Sequence, residues 1–254
     1  MNTRRDFIRS FGAAGFCLAC GMRTAFGQGG GKRREVSVAG KRVKTIDIHC
    51  HCVVPEIANV LQGTALEKRA LGTIKSPTNN PSMERRIAAM DEMGIDVEAM
   101  SINAFWYSAD RDLARRLIDL QNEKLAEMCK IAPDRFVAFA SVALQFPELA
   151  AEQLEIGMKQ HGLRGAAIGC TVSGKELSAP EFDPFWAKAE QLQALIFMHP
   201  QNSDEATGIT ARVRGANGAL PNVIGNPLET TIALSRNGPL HCFNVSQPLS
   251  ERSG

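Results

Sequence analysis

The sequence predicts an α/β fold built on a parallel sheet. Three observations carry that prediction. Strand-like apolar runs alternate with helical patterns five times between Lys44 and Pro200. Glycine and proline fall where those helices stop or start, as at Gly94, Pro147, Gly162 and Pro184. Histidines close the first run and the last, at His49, His51 and His199.

The elements follow in order. "KTIDIH" is the first strand, and a polar connection rich in Pro and Asn, "SPTNNPS", comes after it. In "MERRIAAMDEM", Met83, Ile87 and Met90 recur at helical spacing. "IDVEAMSI" alternates apolar and polar positions and reads as the second strand. "DRDLARRLIDLQNEKLAEMCKIAPD" is a long helix with Leu113, Leu117 and Leu120 on one face. "RFVAFASVA" is the third strand, and Pro147 opens the helix "PELAAEQLEIGMKQHG". "LRGAAIGC" is the fourth strand. In "DPFWAKAEQLQA", Asp183 reads as a helix cap with Pro184 just inside. "LIFMHP" is the fifth strand, ending on His199.

With 254 residues, 44% of them hydrophobic, the chain has material for one full domain or a large piece of one. The 29 basic and 27 acidic residues nearly balance, which gives no argument for a nucleic-acid partner. The seven cysteines lack the spacing of a disulfide framework. Cys50 and Cys52 alternate with the histidines, face the other way on a strand, and read as buried small hydrophobes.

Residues 1–30 read as a twin-arginine-type signal segment, with "TRRDFIR" followed by the modest apolar stretch "SFGAAGFCLACGM". That stretch is too short to span a bilayer, so the mature chain is expected to be periplasmic with no membrane span. Cys20 resembles a lipoprotein site only weakly, because Cys17 stands where an aliphatic residue is usual. The Gly-rich, basic residues 31–44 read as a linker.

In a parallel barrel, functional side chains gather at the carboxyl ends of the strands. His49 and His51 lie there on the first strand, and a spacing of two puts both rings on one face. His199 lies at the same end of the fifth strand, across the barrel. Neutral imidazole is a good ligand for Zn²⁺ and similar divalent ions. A core histidine bonded to a carbonyl would explain any one of the three. The common placement of all three favours a metal. His161 reads as a partner for a helix carboxyl terminus.

The motifs "DIHCHCVVPE", "RIAAMDEMGIDVEAMS", "RFVAFASVALQFPELAAEQLE", "GLRGAAIGC", "FDPFWAKAEQLQALIFMHP" and "NPLETTIALSR" resemble the amidohydrolase-related family. Within it they are most similar to the aminocarboxymuconate-semialdehyde decarboxylase group. The resemblance covers Thr45 to Arg236. It implies a metal-dependent hydrolase-type (β/α)8 barrel, of which about the first five β/α units are present in residues 45–236. It also implies one divalent metal, usually zinc, with His49, His51 and His199 as ligands. The implied activity is a metal-dependent carboxy-lyase acting on a small unsaturated or aromatic carboxylate. The runner-up is a hydrolase of amide, ester or lactone bonds, which would use the same ligands. No catalytic side chain is assigned, and a homo-oligomer is left open.

The family's later His-Gly-Gly-Gly stretch and its eighth-strand aspartate have no counterpart in these residues. Residues 237–254, "NGPLHCFNVSQPLSERSG", read as an atypical tail from an altered reading frame or a truncation, and His241 lacks the glycine context. A third expectation is therefore an inactive fragment that at most binds metal. Asn226, Pro227 and Glu229 read as a helix cap, first turn and capping-box acid. Phe182 and Trp186 read as packing residues. Trp106 and Tyr107 either pack or line a pocket, and Arg69 reads as a solvated charge in the first connection.

Overall fold

Five parallel strands follow one another in chain order in the computed structural model. They are β1 (Ile46–His51), β2 (Val97–Ser101), β3 (Phe136–Ala138), β4 (Gly165–Gly169) and β5 (Leu195–His199). The structure describes residues 33–75, 81–201 and 220–237. The leader, residues 76–80 of the Pro/Asn-rich connection, and the tail from 238 with His241 lie outside the described residues.

β1 pairs with β2, β2 with β3, and β4 with β5, all parallel. Ala140, just past β3, bridges to Ala166 of β4 in the same sense. The sheet order is therefore 1-2-3-4-5. Helices fill the links: α1 (Met83–Met93), α2 (Arg111–Ile131), α3 (Pro147–Lys159) and α4 (Asp183–Leu192). Two shorter helices, Ile57–Leu61 and Glu67–Ile74, precede α1. This is a partial (β/α)8 barrel made of its first five units. No described helix is long and apolar enough to cross a membrane.

Alternation along the strands sorts the core. Met100, Phe136 and Ala138 face the helices and pack with Leu117, Ile118 and Leu125 of α2. Ala166 and Ile168 pack outward with Leu154, Phe185 and Trp186. The inner face holds Ala99, Phe139 and Ala167, with Val137 and Phe197 beside them. Phe139 and Phe197 stack at 5.4 Å. Each fully buried large side chain contributes about 1.5–3 kcal/mol.

Side-chain caps open two helices, and a glycine ends the first. Ser82 accepts from the backbone N–H of Arg85 and Asp110 from that of Leu113, and Gly94 ends α1 at φ +78°. At α4 the cap differs. A 3₁₀ turn, Pro180–Phe182, runs straight into the helix, so Asp183 is already helical.

The reading of "NPLETT" as a helix start is corrected. A π-helical turn, Pro221–Gly225, leads directly into α5 (Asn226–Asn237). Asn226 is helical, and its N–H reaches back to the carbonyl of Pro221. The wide turn accommodates Pro227, which has no N–H to give.

The described part of the 31–44 segment is not a bare linker. Ser37–Val38 and Lys41–Arg42 pair as an antiparallel hairpin. Arg42 grips the buried Asp96 at the start of β2, and Asp96 also accepts from the N–H of Thr45. Trp106 is fully buried and donates to the carbonyl of Val142, while the Tyr107 hydroxyl accepts from the N–H of Gly169. Both are structural. Phe182 and Trp186 pack, as the sequence indicated.

Candidate metal centre

His49, His51 and His199 come together at the carboxyl ends of β1 and β5. Their ligand atoms all lie within 4.8 Å of one another. The Nε2 of His49 is 3.0 Å from that of His51 and 3.1 Å from that of His199. The three rings meet edge to face, with centroids 4.7–5.0 Å apart. Among the described residues, this is the one cluster of histidine, cysteine or carboxylate groups arranged to hold a metal.

The backbone aims these rings in a way that a simple strand would not. The β1–β2 register slips between Asp47 and Cys50, so β1 carries one residue more than β2 there. Ile48 and His49 occupy the slip. The free N–H of His49 is taken by the Asp47 carboxylate at 3.0 Å. On β5, the Nδ1 of His199 lies 2.6 Å from the carbonyl oxygen of Pro200. A carbonyl only accepts, so Nδ1 carries the proton and Nε2 keeps its lone pair.

Burial pushes the His51 imidazole down to about 4, with the neighbouring His199 and His49 adding to the effect. Burial also lowers His199, opposed by its hydrogen bond to Pro200. These rings therefore prefer the neutral form, which is the ligand form. The donor set fits one divalent cation: three imidazole nitrogens converge at one end of the sheet. The cysteines do not compete. Cys50 and Cys52 are buried, and burial pushes the Cys52 thiol up to about 12.

The family pattern described as Amidohydrolase matches residues 46–231, more than half of the chain. The chain belongs to the amidohydrolase family. It is similar to gamma-resorcylate decarboxylase of Rhizobium sp., 35% identical over 127 residues, covering 47% of this chain and 39% of that protein. It is also similar to 2-amino-3-carboxymuconate-6-semialdehyde decarboxylase of Dictyostelium discoideum, 26% identical over 192 residues, covering 75% and 49%. A solved 5-carboxyvanillate decarboxylase from Novosphingobium aromaticivorans, complexed with manganese and 4-hydroxy-3-methoxy-5-nitrobenzoic acid, superposes with a TM-score of 0.63. That pair is 26% identical, over 76% of this chain and 60% of the other. The chain thus spans less than half the length of the curated relatives it matches.

Other groups at this end of the amidohydrolase sheet escaped the sequence reading. Glu229 is not a capping acid: its carboxylate accepts from the N–H of Gln201, two residues beyond His199. Gln201 in turn donates to the carbonyl of Ala104. Arg69, read as a solvated charge, lines a cavity of about 220 Å³ that His51 also lines. Arg86 and Glu98 form a buried ion pair behind β1. The sequence did hold a hint of that pair. Arg86 sits three residues after Met83 and four before Met90, on the apolar stripe of α1.

Proposed function

We propose that this chain carries the metal-binding part of a decarboxylase for small aromatic or unsaturated carboxylates. The observation that carries the reading is the convergence of three imidazoles beside an apolar cavity with one cationic side chain. The cavity is lined by His51, Val53, Ile57, Ile102, Phe105 and Arg69 among others. Its aliphatic and aromatic walls suit a flat hydrocarbon body, and the Arg69 guanidinium suits a carboxylate. The similar proteins are decarboxylases, and one of them holds a substituted nitrobenzoic acid. This supports carbon–carbon cleavage over hydrolysis.

His49, His51 and His199 would hold the cation, and an all-imidazole set suits zinc. Manganese, present in the solved relative, is the competing metal. A bound divalent ion would supply Lewis-acid polarisation of a substrate oxygen. The chain's own contribution is to keep His51 and His199 neutral, exclude water with the cavity walls, and orient the carboxylate against Arg69. Export by the twin-arginine route belongs to the same proposal and rests on "TRRDFIR" and the apolar stretch after it.

The test is elemental analysis of the purified full chain, followed by a substrate panel. Release of CO₂ from gamma-resorcylate or 5-carboxyvanillate, with one zinc per chain, is the expected result. Cleavage of amides, esters or lactones without CO₂ release would move the assignment to hydrolysis. A chain that binds metal and turns over nothing would be a metal-binding portion without activity.

A further inference from the structure

We propose that Arg86 is a positioning residue for the metal-binding histidines, acting through the peptide that follows His51. This rests on the metal reading above. Arg86 lies on α1, behind β1 and β2, and is 8% exposed. Its Nη2 donates to the carbonyl oxygen of His51 at 3.0 Å. Its Nη1 donates to Glu98 Oε2 at 2.9 Å and lies 2.7 Å from the sulfur of Cys50. The Cys50 thiol donates to the same Glu98 oxygen at 3.0 Å.

The location gives this network its meaning. Between Asp47 and Cys50 the regular β1–β2 ladder is interrupted. Regular pairing therefore does not aim His49, and it resumes only at Cys50 and His51, opposite Met100 and Ser101. Below the interruption, the Asp47 carboxylate holds the N–H of His49. Above it, the peptide between His51 and Cys52 is held at both ends: Arg86 takes its carbonyl, and Ser101 accepts its N–H at 3.0 Å. A peptide fixed at both ends fixes the Cα–Cβ direction of His51.

Stability alone is a poor reason for this arrangement. A buried ion pair gains little over apolar residues of the same volume, because both charges lose their water. Guanidinium does not shed its proton to escape that cost. What it offers is a rigid fork that reaches a carboxylate and a carbonyl at once, which an apolar side chain does not.

The comparison residue is Arg135. It is also buried, at 9% exposure, and bonds Asp91 and the carbonyl of Asp96. It works at the amino ends of the strands, away from the histidines. The experiment strips metal from the full chain and measures Zn²⁺ affinity by competition with a chromophoric chelator. The visible absorption of the Co²⁺ form reports ligand geometry. Wild type, Arg86→Met, Arg86→Lys and Arg135→Met are compared, with thermal unfolding of each metal-free protein.

Arg86→Met is expected to weaken Zn²⁺ binding about tenfold to a hundredfold and to alter the Co²⁺ spectrum. Arg135→Met is expected to lower the melting temperature while moving Zn²⁺ affinity less than about twofold. Arg86→Lys, which offers one nitrogen in place of the two separated ones of the fork, is expected to fall between wild type and Arg86→Met. If Arg86→Met does not fold, Arg86→Lys decides alone: unchanged affinity and spectrum would overturn the proposal. Equal losses in Arg86→Met and Arg135→Met would overturn it too. A wild-type chain that binds no metal would overturn the metal centre itself and this role with it.

Discussion

The Nε2 atom of His199 lies 3.1 Å from that of His49, although 150 residues separate them in the chain. Three imidazoles whose nitrogens converge this closely form a ready ligand set for one cation. The first prediction is that the purified chain carries metal and that His199→Ala lowers its affinity at least about a hundredfold. The His49→Ala, His51→Ala, His199→Ala triple variant should carry none. Elemental analysis checks both. Equal metal content in wild type and the triple variant would mean the ions bind elsewhere.

The second prediction concerns protons in the metal-free protein. His51 is pushed down to about 4 by burial, whereas an unfolded histidine titrates near about 6.5. Between those values the unfolded chain takes a proton that the folded chain refuses. Folding stability is therefore untouched by this group above pH about 6.5, falls as pH drops toward about 4, and levels off below that. An NMR titration of the His51 ring should give a midpoint near 4. Unfolding measured across the same range should track it. A midpoint near that of free histidine would contradict the burial.

The third prediction tests the cavity. Arg69→Ala should weaken binding of an aromatic carboxylate inhibitor about tenfold to a hundredfold, the worth of one charge-assisted contact. Its metal content should stay that of wild type, because the side chain lines the cavity and is not one of the three clustered histidines. Isothermal titration with a nitrobenzoate beside metal analysis separates the two effects. Unchanged inhibitor affinity would remove Arg69 from the site.

The fourth prediction concerns the seam between β4 and β5. Gly165 sits at φ +143°, and a Cβ there would fall 1.8 Å from the carbonyl oxygen of Leu195. Backbone on the neighbouring strand has no room to yield. Gly165→Ala should cost about 3 kcal/mol or more and loosen His199 with its strand. Chemical denaturation gives the number. A cost below about 1 kcal/mol would mean that the two strands part easily.

The strand order was legible because the apolar runs of "KTIDIH", "IDVEAMSI" and "LIFMHP" are short, regular and separated by well-marked helices. The meeting of His49, His51 and His199 followed from one barrel rule applied to both ends of that series. What the sequence hid depends on contacts across the fold. The register slip at Ile48 and His49 leaves no local signature, since both residues still suit a strand. Asn226 and Pro227 look like a helix start because nothing in those two residues signals the π-helical turn, Pro221–Gly225, that runs into them. Arg42 looked like linker composition until Asp96, 54 residues away, supplied its partner.

His49 and His51 stand on the first strand and His199 on the fifth, so a cation held by all three would join the two ends of the described sheet. Such an ion acts as a tie-rod across an arc. Its binding free energy opposes flattening of the sheet, and it binds only after all five strands are laid side by side. An ion at a hundred times its dissociation constant would add about 2.7 kcal/mol to the folded state. Metal supply would then govern how much of this chain stays folded, quite apart from any substrate it meets.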